Sequence, residues 1–331
     1  MIYDIHVHTF GEHPDNFLSP ALFGTFSFRL FCSRFGLPWM IKENKGFSHG
    51  VEKKTIDWLT RSSVNYAVVL ALDAPYLTNG ERDEKNVRVI VSNDYVAALS
   101  DSNEKVLFGA SIHPYRRDAI SELERFIKRG ACLVKWLPGA QNIKPDNPQC
   151  FEFYDALAYY GLPLLCHTGS EHVLRNYPDS FNDPRLLVPA LDRGVTVIAA
   201  HCGTRIFFNE PCFFSAWCEL AKKYEKLYGD LGAFITFGRL GSLRQILKDR
   251  DLTNKLVFGS DFPALHFPLQ YITRIGVSAA FGLQLKKNPF DQAIMTFRSA
   301  GVPDAVFSRG GDLIRAQNIR HSKQLSALPS L

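Results

Sequence analysis

Residues 2–8 read IYDIHVH, a short apolar run typical of a buried β-strand, and the run ends in two histidines. Because side chains alternate along a strand, His6 and His8 lie on the same face. Two imidazoles placed in this way can bind one metal ion at about 2.0–2.1 Å. Taken alone the pattern is weak, since histidines with this spacing also occur on protein surfaces and in cores.

Seven further apolar runs of similar length follow, and they bring the number of predicted strands to eight. They lie at about residues 66–72, 106–112, 132–137, 162–167, 195–201, 228–235 and 255–261. Helical patterns separate many of them, as in residues 118–129, which place apolar side chains on one stripe before Gly130. Strands that alternate with helices predict an α/β protein with a parallel sheet. We expect one domain over residues 1–331.

Two segments are longer than the regular repeat requires. The chain between the first two strands holds an excess, at about residues 9–50, that is rich in Phe and Gly. Insertions of this length are usually lids or binding loops, although the phenylalanines could equally pack on one another or on a second copy of the chain. After the last strand we predict a C-terminal helical extension over about residues 289–331, which ends in a tail.

Four further side chains that can bind metal lie at the ends of predicted strands, as His6 and His8 do. They are Lys135 in LVKWLP (133–138), His167 in LPLLCHTG (162–169), His201 in VIAAHCG (197–203) and Asp261 in LVFGSDFP (256–263). In a barrel the carboxyl ends of all strands open on one face, where functional groups gather. This distribution favours a (β/α)8 TIM barrel over an open doubly wound sheet, which would use the same units.

Lys135 fits a metal site only if its amine is neutral, because an ammonium repels cations. Burial and nearby cations lower the pKa of a lysine, and a neutral amine can react with CO₂ to give a carbamate whose two oxygens bridge two ions. The alternative is an ordinary lysine that pairs with Asp261 or with a substrate carboxylate.

Composition excludes several classes of partner. The formal net charge is +5, from 38 basic and 33 acidic residues that are scattered along the chain, so we expect no nucleic acid. The sequence contains no run of 18 apolar residues, so we expect no membrane span. The segment before the first histidine is too short for a signal peptide, so we expect none. The spacing of the seven cysteines does not match a disulfide framework. We expect a cytoplasmic protein with a small-molecule substrate, which could form a homo-oligomer.

Taken in order, the motifs resemble those of the amidohydrolase superfamily, and most closely its amidohydrolase-2 branch of metal-dependent TIM-barrel hydrolases and decarboxylases. The matching motifs are HVH (6–8), SIHP (111–114), LVKWLP (133–138), CHTG (166–169), AHCG (200–203), LYGDLGAF (227–234) and FGSDFP (258–263). They span nearly the whole predicted barrel, from residue 1 to about 270.

The resemblance implies a role for each strand-end residue. His6 and His8 would bind the more buried metal together with Asp261, while His167 and His201 would bind a second one. Carbamylated Lys135 would bridge the two divalent ions, for which zinc is the expected metal. Asp261 would take the proton of the attacking hydroxide and pass it to the leaving group. Many members of the branch hold one ion and use the histidine after the sixth strand, here His201, as acid or base.

The predicted function is therefore metal-dependent hydrolysis of an amide, lactone or ester of a small molecule. The alternative on the same site is a lyase, a decarboxylase or hydratase of a small carboxylated substrate. A barrel retained as a binding or scaffold protein is a third possibility, which the intact ligand set argues against. A phosphoesterase of the TatD kind shares the HxH opening but normally carries Glu where Lys135 lies.

Four further residues on the predicted active face are candidates for substrate contact: His113, His172, Arg205 and His266. His266 is the weaker candidate, and the other three have alternative roles. His113 could be a hydrogen-bonded structural histidine, Glu171 and His172 could be solvated loop residues, and Arg205 could form a surface salt bridge. Asp230 in the seventh strand resembles the family's aspartate at that position and is expected to support the ligands or the fold.

Overall fold

The computed structural model describes residues 1–314 except Gly24, residues 38–43, His172, Val173, Arg175 and Phe237. The predicted C-terminal tail and the candidate His172 therefore lie outside the described residues. Among the described residues, no helix combines the length and the apolar character needed to cross a membrane.

Eight strands form one parallel sheet, and two short strands form a separate antiparallel pair. The sheet contains β1 (Tyr3–Val7), β3 (Tyr66–Leu70), β5 (Val106–Ala110), β6 (Ala131–Trp136), β7 (Leu164–His167), β8 (Val197–Ala200), β9 (Leu227–Asp230) and β10 (Leu256–Val257). The pair consists of β2 (Phe17–Leu18) and β4 (Val89–Ile90). Neighbours in the large sheet follow one another along the chain, as in a barrel.

Hydrogen bonds between the first strand and the segment around β10 close the sheet. The backbone N–H of Ile5 donates to the carbonyl of Phe258 at 3.1 Å, and that of His8 donates to Phe262 at 2.7 Å. Val7 and Phe262 form a parallel bridge at the same seam. The predicted (β/α)8 barrel is confirmed, with eight strands close to the predicted positions.

Thirteen named helices surround the barrel within the described residues. They are α1 (Phe26–Phe35), α2 (Asn44–Thr60), α3 (Asn93–Ser102), α4 (Ala119–Lys128), α5 (Pro138–Gln141), α6 (Phe151–Tyr160), α7 (Val188–Asp192), α8 (Phe214–Lys223), α9 (Leu240–Ile246), α10 (Arg250–Thr253), α11 (Ile272–Ile275), α12 (Val277–Gln284) and α13 (Pro289–Ser299). Residues 304–314 are also helical.

Helix α4 shows why the sequence pattern gives this architecture. Its apolar stripe buries Leu123 and Phe126 against the sheet, where the Phe126 ring lies 5.7 Å from the ring of Phe108 in β5. The helix ends at Lys128, and Gly130 follows Arg129 with a φ of +90°, a conformation that glycine adopts without a Cβ penalty.

An apolar layer lies beneath the carboxyl ends of the strands. Leu133 and Leu165 are buried in one cluster with Val68 and Ile198. Leu133 precedes Lys135 by two residues and Leu165 precedes His167 by two, so each leucine shares a strand face with a candidate ligand. This layer fills the barrel interior directly below the polar groups, so the candidate ligands rest on closely packed apolar side chains.

The segment between β1 and β3 contains β2, α1 and α2. Its aromatic side chains pack on one another, with the Phe28 and Phe47 rings 5.3 Å apart and the Phe31 and Phe35 rings 4.8 Å apart. The Phe35 ring also lies 5.5 Å from that of Phe262, next to the last strand end. The self-packing interpretation of the Phe-rich segment therefore describes these side chains better than a lining for substrate.

Candidate metal centre

The carboxyl ends of the barrel strands bring together the polar residues selected from the sequence. His6 lies in β1, Lys135 in β6, His167 at the end of β7, His201 directly after β8, Asp230 at the end of β9 and Asp261 shortly after β10. Residues that are far apart in sequence therefore meet on one face, as the barrel prediction requires.

His6, His8 and Asp261 form a group of three ligand atoms. The Nε2 atoms of the two histidines are 3.1 Å apart, and Asp261 Oδ1 lies 3.3 Å from the first and 3.6 Å from the second. Ligand atoms at about 2.0–2.2 Å from a tetrahedral ion are separated by roughly 3.3–3.6 Å. The three side chains therefore fit a divalent cation without rearrangement.

Asp230 fixes the orientation of His6. Its Oδ2 lies 2.7 Å from His6 Nδ1, and its Oδ1 accepts hydrogen bonds from the backbone N–H groups of His201 at 2.8 Å and Gly232 at 2.9 Å. Because a proton on Nδ1 donates to the carboxylate, Nε2 of His6 keeps its lone pair for the ligand group. The aspartate is fully buried, and it acts on the site through its neighbours.

Lys135 lies against the same group of ligands. Its Nζ is 3.1 Å from His6 Nε2, and the side chain is almost completely buried. Burial lowers the pKa of the lysine amine, and the charges of Asp230 and Asp261 only partly oppose this effect. The neutral amine is therefore easier to form here than in an exposed lysine.

His167 and His201 form a second half of the site. Their ring centroids are 4.8 Å apart, and His201 Nδ1 lies 2.8 Å from the carbonyl oxygen of Gly232, which leaves its Nε2 available. His167 Nε2 is buried without a hydrogen-bond partner in the described structure, and Glu171 Oε2 lies 3.7 Å from it. An orphaned imidazole nitrogen beside a carboxylate suits a second cation.

Burial also keeps these imidazoles neutral. It lowers the pKa of His167 to about 4, although Glu171 opposes the shift, and it lowers the pKa of His6 and His201 well below the usual range. Metal binding needs the neutral form of histidine, so the site favours the protonation state that a ligand requires.

Left-handed backbone geometry turns two of the site residues into the barrel mouth. His201 has a φ of +64° and Asp261 a φ of +55°, conformations that are rare for residues with a Cβ. Such strain persists where the surrounding structure holds it, and it is common at functional sites. The backbone at Gly232 also lies close to the His6 imidazole, because a Cβ added to this glycine would be 3.1 Å from His6 Nδ1.

The predicted substrate contacts are placed less uniformly. His113 Nε2 lies 2.7 Å from the carbonyl of Gln141 and its Nδ1 accepts from the N–H of Tyr115, so both ring nitrogens are engaged within the fold. His266 is buried with Nδ1 3.3 Å from Arg34 Nη2. The structural role that the sequence allowed for His113 is the one its contacts favour.

Arg205 lies beside two residues of its own loop. Its guanidinium is 4.9 Å from the ring centroid of Phe208, and its Nη1 lies 3.5 Å from the carbonyl oxygen of Glu210. Phe208 is 88% exposed, so this contact is at the surface of the barrel mouth.

Sequence reasoning missed Arg239. It follows β9, immediately before α9, and only 2% of its surface is exposed. Its charge lowers the pKa of both His167 and His201, so it lies near the second half of the site. No motif marks this arginine, and its place in the loop after the seventh barrel strand was the only available signal.

A parallel (β/α)8 barrel with metal-competent side chains at its strand ends is the arrangement of TIM-barrel metalloenzymes. A comparison with family models finds the amidohydrolase model over residues 69–286, and the chain belongs to this family, in its amidohydrolase-2 branch. The matched range begins after His6 and His8, and the fold joins these two histidines to the rest of the site. The family generally binds divalent metals.

Solved structures share the fold at low sequence identity. An uncharacterised TIM-barrel protein from Bordetella bronchiseptica has a TM-score of 0.63 and 13% identity, over 96% of this chain and 98% of that one. A protein assigned as a 2-pyrone-4,6-dicarboxylic acid hydrolase from Pseudomonas putida has a TM-score of 0.56 and 14% identity, over 95% and 97%. A 5-carboxyvanillate decarboxylase from Sphingomonas paucimobilis has a TM-score of 0.56 and 12% identity, over 95% and 98%. The comparison with curated proteins gave no match.

Proposed function

We propose that this protein is a metal-dependent hydrolase that cleaves an amide, lactone or ester bond of a small molecule in the cytoplasm. The observation that supports this most directly is the group formed by His6, His8 and Asp261, whose ligand atoms lie 3.1 to 3.6 Å apart. Three ligand atoms at this spacing, one of them on a histidine that is hydrogen-bonded to the buried Asp230 carboxylate, are suited to bind a cation.

The proposed ligands divide into two sets. His6, His8 and Asp261 would hold the first ion, His167 and His201 would hold the second, and Lys135, as a carbamate, would contribute to both. Zinc is the proposed metal because the set combines imidazole and carboxylate donors. The lowered pKa of Lys135 supports carbamylation, because CO₂ reacts with the neutral amine. When bound, divalent ions polarise the scissile carbonyl and make hydroxide available at neutral pH.

Asp261 and His201 are the proposed proton carriers. The Asp261 side chain is 19% exposed, so it lies between the buried ligands and the space that a substrate would enter. Burial raises the pKa of this carboxyl to about 7, against the opposing charge of Lys135. That value describes the metal-free protein; beside a bound cation the carboxylate would be ionised and placed to accept a proton from the nucleophile and return it to the leaving group.

A second candidate function is a decarboxylase or hydratase that uses one ion on the same site. One observation favours it: within the described residues, one group of three side chains meets the spacing of a metal site, and it contains neither His167 nor His201. With a single ion bound there, His201 Nε2 would remain free to act as acid or base.

Metal content and a substrate panel test the proposal together. We expect the purified protein to bind about two Zn²⁺ per chain and to hydrolyse members of a panel of lactones, esters and N-acyl compounds. The His8→Ala variant should lose more than about 100-fold in metal affinity and in activity, since it removes a ligand. His49→Ala is the matched control, because His49 is an exposed histidine of α2.

Two results would reject the hydrolase. A protein that binds no divalent metal would contradict any metal-dependent reaction. One bound ion, an unmodified Lys135 in a crystal structure and CO₂ release from aromatic carboxylates would instead establish the lyase.

A further inference from the structure

Arg239 is a buried cation among the charged groups of the candidate metal centre. Burial lowers the pKa of its guanidinium, while the carboxylates of Asp261, Asp230 and Glu171 act in the opposite direction. The arginine therefore lies within electrostatic reach of both halves of the site. It comes from the loop after β9, which forms part of the barrel mouth.

The guanidinium of Arg239 lacks partners within the described part of the chain. Its Nε and Nη1 are buried and make no hydrogen bond, and no ion pair within 4.0 Å involves this residue. A buried guanidinium is normally paired with an anion, because desolvation of an unpaired charge is unfavourable. An unpartnered arginine in a reaction site thus indicates a binding role for an anion from outside the chain.

The carboxylates near Arg239 are already engaged elsewhere. Asp230 accepts from the backbone of His201 and Gly232 and lies against His6 Nδ1, and Asp261 faces the Nε2 atoms of His6 and His8. Glu171 Oε1 accepts from the backbone N–H of Leu174. A cation held by Asp261 would further reduce the negative charge available to the guanidinium.

We propose that Arg239 binds a carboxylate of the substrate and gives the site its preference for carboxylate-bearing molecules. This inference rests on the proposed function, since it assumes a reaction at the neighbouring ligand group. The planar guanidinium presents a fork of N–H donors that matches the two oxygens of a carboxylate. Arg239 touches the substrate in this account, at a group that does not react.

Two other arginines near the barrel mouth, Arg34 and Arg205, are less suited to this role. Arg34 lies 3.3 Å from the Nδ1 atom of His266, and the guanidinium of Arg205 lies over the exposed ring of Phe208. Arg239 is the more deeply buried group, so water competes least with an anion there.

Binding of two matched probes tests this role without measuring turnover. Isophthalate carries two carboxylates that are too far apart to chelate one ion, and isophthalamide has the same shape without charge. By calorimetry on the metal-loaded protein, we expect isophthalate to bind at least about 10-fold more tightly. Arg239→Met should weaken isophthalate about 10- to 100-fold and leave isophthalamide unchanged, because it removes a charge-assisted hydrogen bond. Arg239→Lys should be intermediate.

Thermal stability separates binding from a structural role. Replacing a buried, unpaired cation by an apolar side chain of similar length should leave the melting temperature of Arg239→Met unchanged or higher. Arg244→Met, at an exposed arginine of α9, should change neither measurement. A lower melting temperature for Arg239→Met with unchanged isophthalate affinity would overturn the inference, as would a wild type that binds both probes equally or neither. The proposed function would survive those results, because it depends on metal binding and hydrolysis.

Discussion

Asp230 shows how a residue that need not touch metal can control a metal site. Its two carboxylate oxygens serve different neighbours, with one against the ring of His6 and the other on the backbone N–H groups of His201 and Gly232. The same carboxylate therefore links His6, a candidate ligand of the first half of the site, to the backbone of the second. Residues that hydrogen-bond to a metal ligand commonly affect the metal affinity of a site as well as the orientation of that ligand.

We predict that Asp230→Asn lowers Zn²⁺ affinity by about 10- to 100-fold. The amide cannot hold the Nδ1 proton of His6 through a charged hydrogen bond, so the ligand nitrogen becomes less basic and its tautomer less defined. Competition titration against a chelator of known affinity measures the change. Asp251→Asn, at an exposed aspartate of α10, is the control, and equal affinities for the two variants would contradict the role of Asp230.

The sequence predicted some site residues better than others for a physical reason. His6, His8, His167 and Asp261 adjoin buried strands, where alternation and the barrel fix which way a side chain points. Arg239 belongs to a loop, and loop geometry depends on contacts that no local pattern encodes. The sequence therefore identified the candidate ligands and left Arg239, the proposed anion-binding residue, undetected.

At the scale of elements, the loops that follow β7 and β8 form one packed unit. Thr168 Oγ1 donates to the carbonyl of Ala200 at 2.6 Å and accepts from the N–H of Gly203 at 2.8 Å. The two loops come very close together at Gly169, where a Cβ would be 2.1 Å from the carbonyl oxygen of Thr204. This contact holds the loops that follow His167 and His201 against each other.

We predict that Gly169→Ala destabilises the protein by about 2–4 kcal/mol. The φ of +93° costs an alanine about 1–2 kcal/mol, and the Cβ overlaps a backbone atom that cannot move freely. Gly130→Ala is the control, since its φ is +90° but a Cβ would meet nothing within 4 Å. Urea unfolding of the metal-free variants should give only about 1–2 kcal/mol for the control, and equal losses would show that the loop contact is unimportant.

The elements themselves were largely predictable, and the exceptions have local causes. The strand predicted at 228–235 ends at Asp230, because the backbone turns there, with Gly232 N–H bonded to Asp230 Oδ1 and Ala233 at a φ of +57°. The apolar composition of the following residues resembles a strand, and nothing local reveals the turn. The short helices α9 to α12 were also missed, because each is too brief to show a clear period.

At the scale of the whole molecule, a bound ion should stabilise the barrel by linkage. At a free Zn²⁺ concentration 100-fold above Kd, the gain is about 2.7 kcal/mol. With an unfolding entropy of about 2.1 cal/mol/K per residue, this raises Tm by roughly 4 °C in a chain of 331 residues. Differential scanning calorimetry at fixed free Zn²⁺ measures the shift, and His8→Ala should abolish most of it.

The shift should also depend on pH. Burial raises the pKa of Asp261 to about 7 in the metal-free protein, so below that pH a proton must leave before the carboxylate can bind a cation. We therefore expect a smaller increase in Tm at pH 6 than at pH 8 for the same free Zn²⁺. An increase that is the same at both pH values would contradict a ligand carboxylate that titrates near pH 7 in the metal-free protein.

The seam of the barrel has a consequence for biosynthesis. Asp4 Oδ1 accepts a hydrogen bond at 2.9 Å from the N–H of Ser260, a residue 256 positions later in the chain. The candidate ligands straddle this seam, with two imidazoles at the end of the first strand and one carboxylate beyond the last. A nascent polypeptide on the ribosome thus exposes its paired histidines long before Asp261 emerges, so a cation that needs all three side chains could not be held tightly before that point.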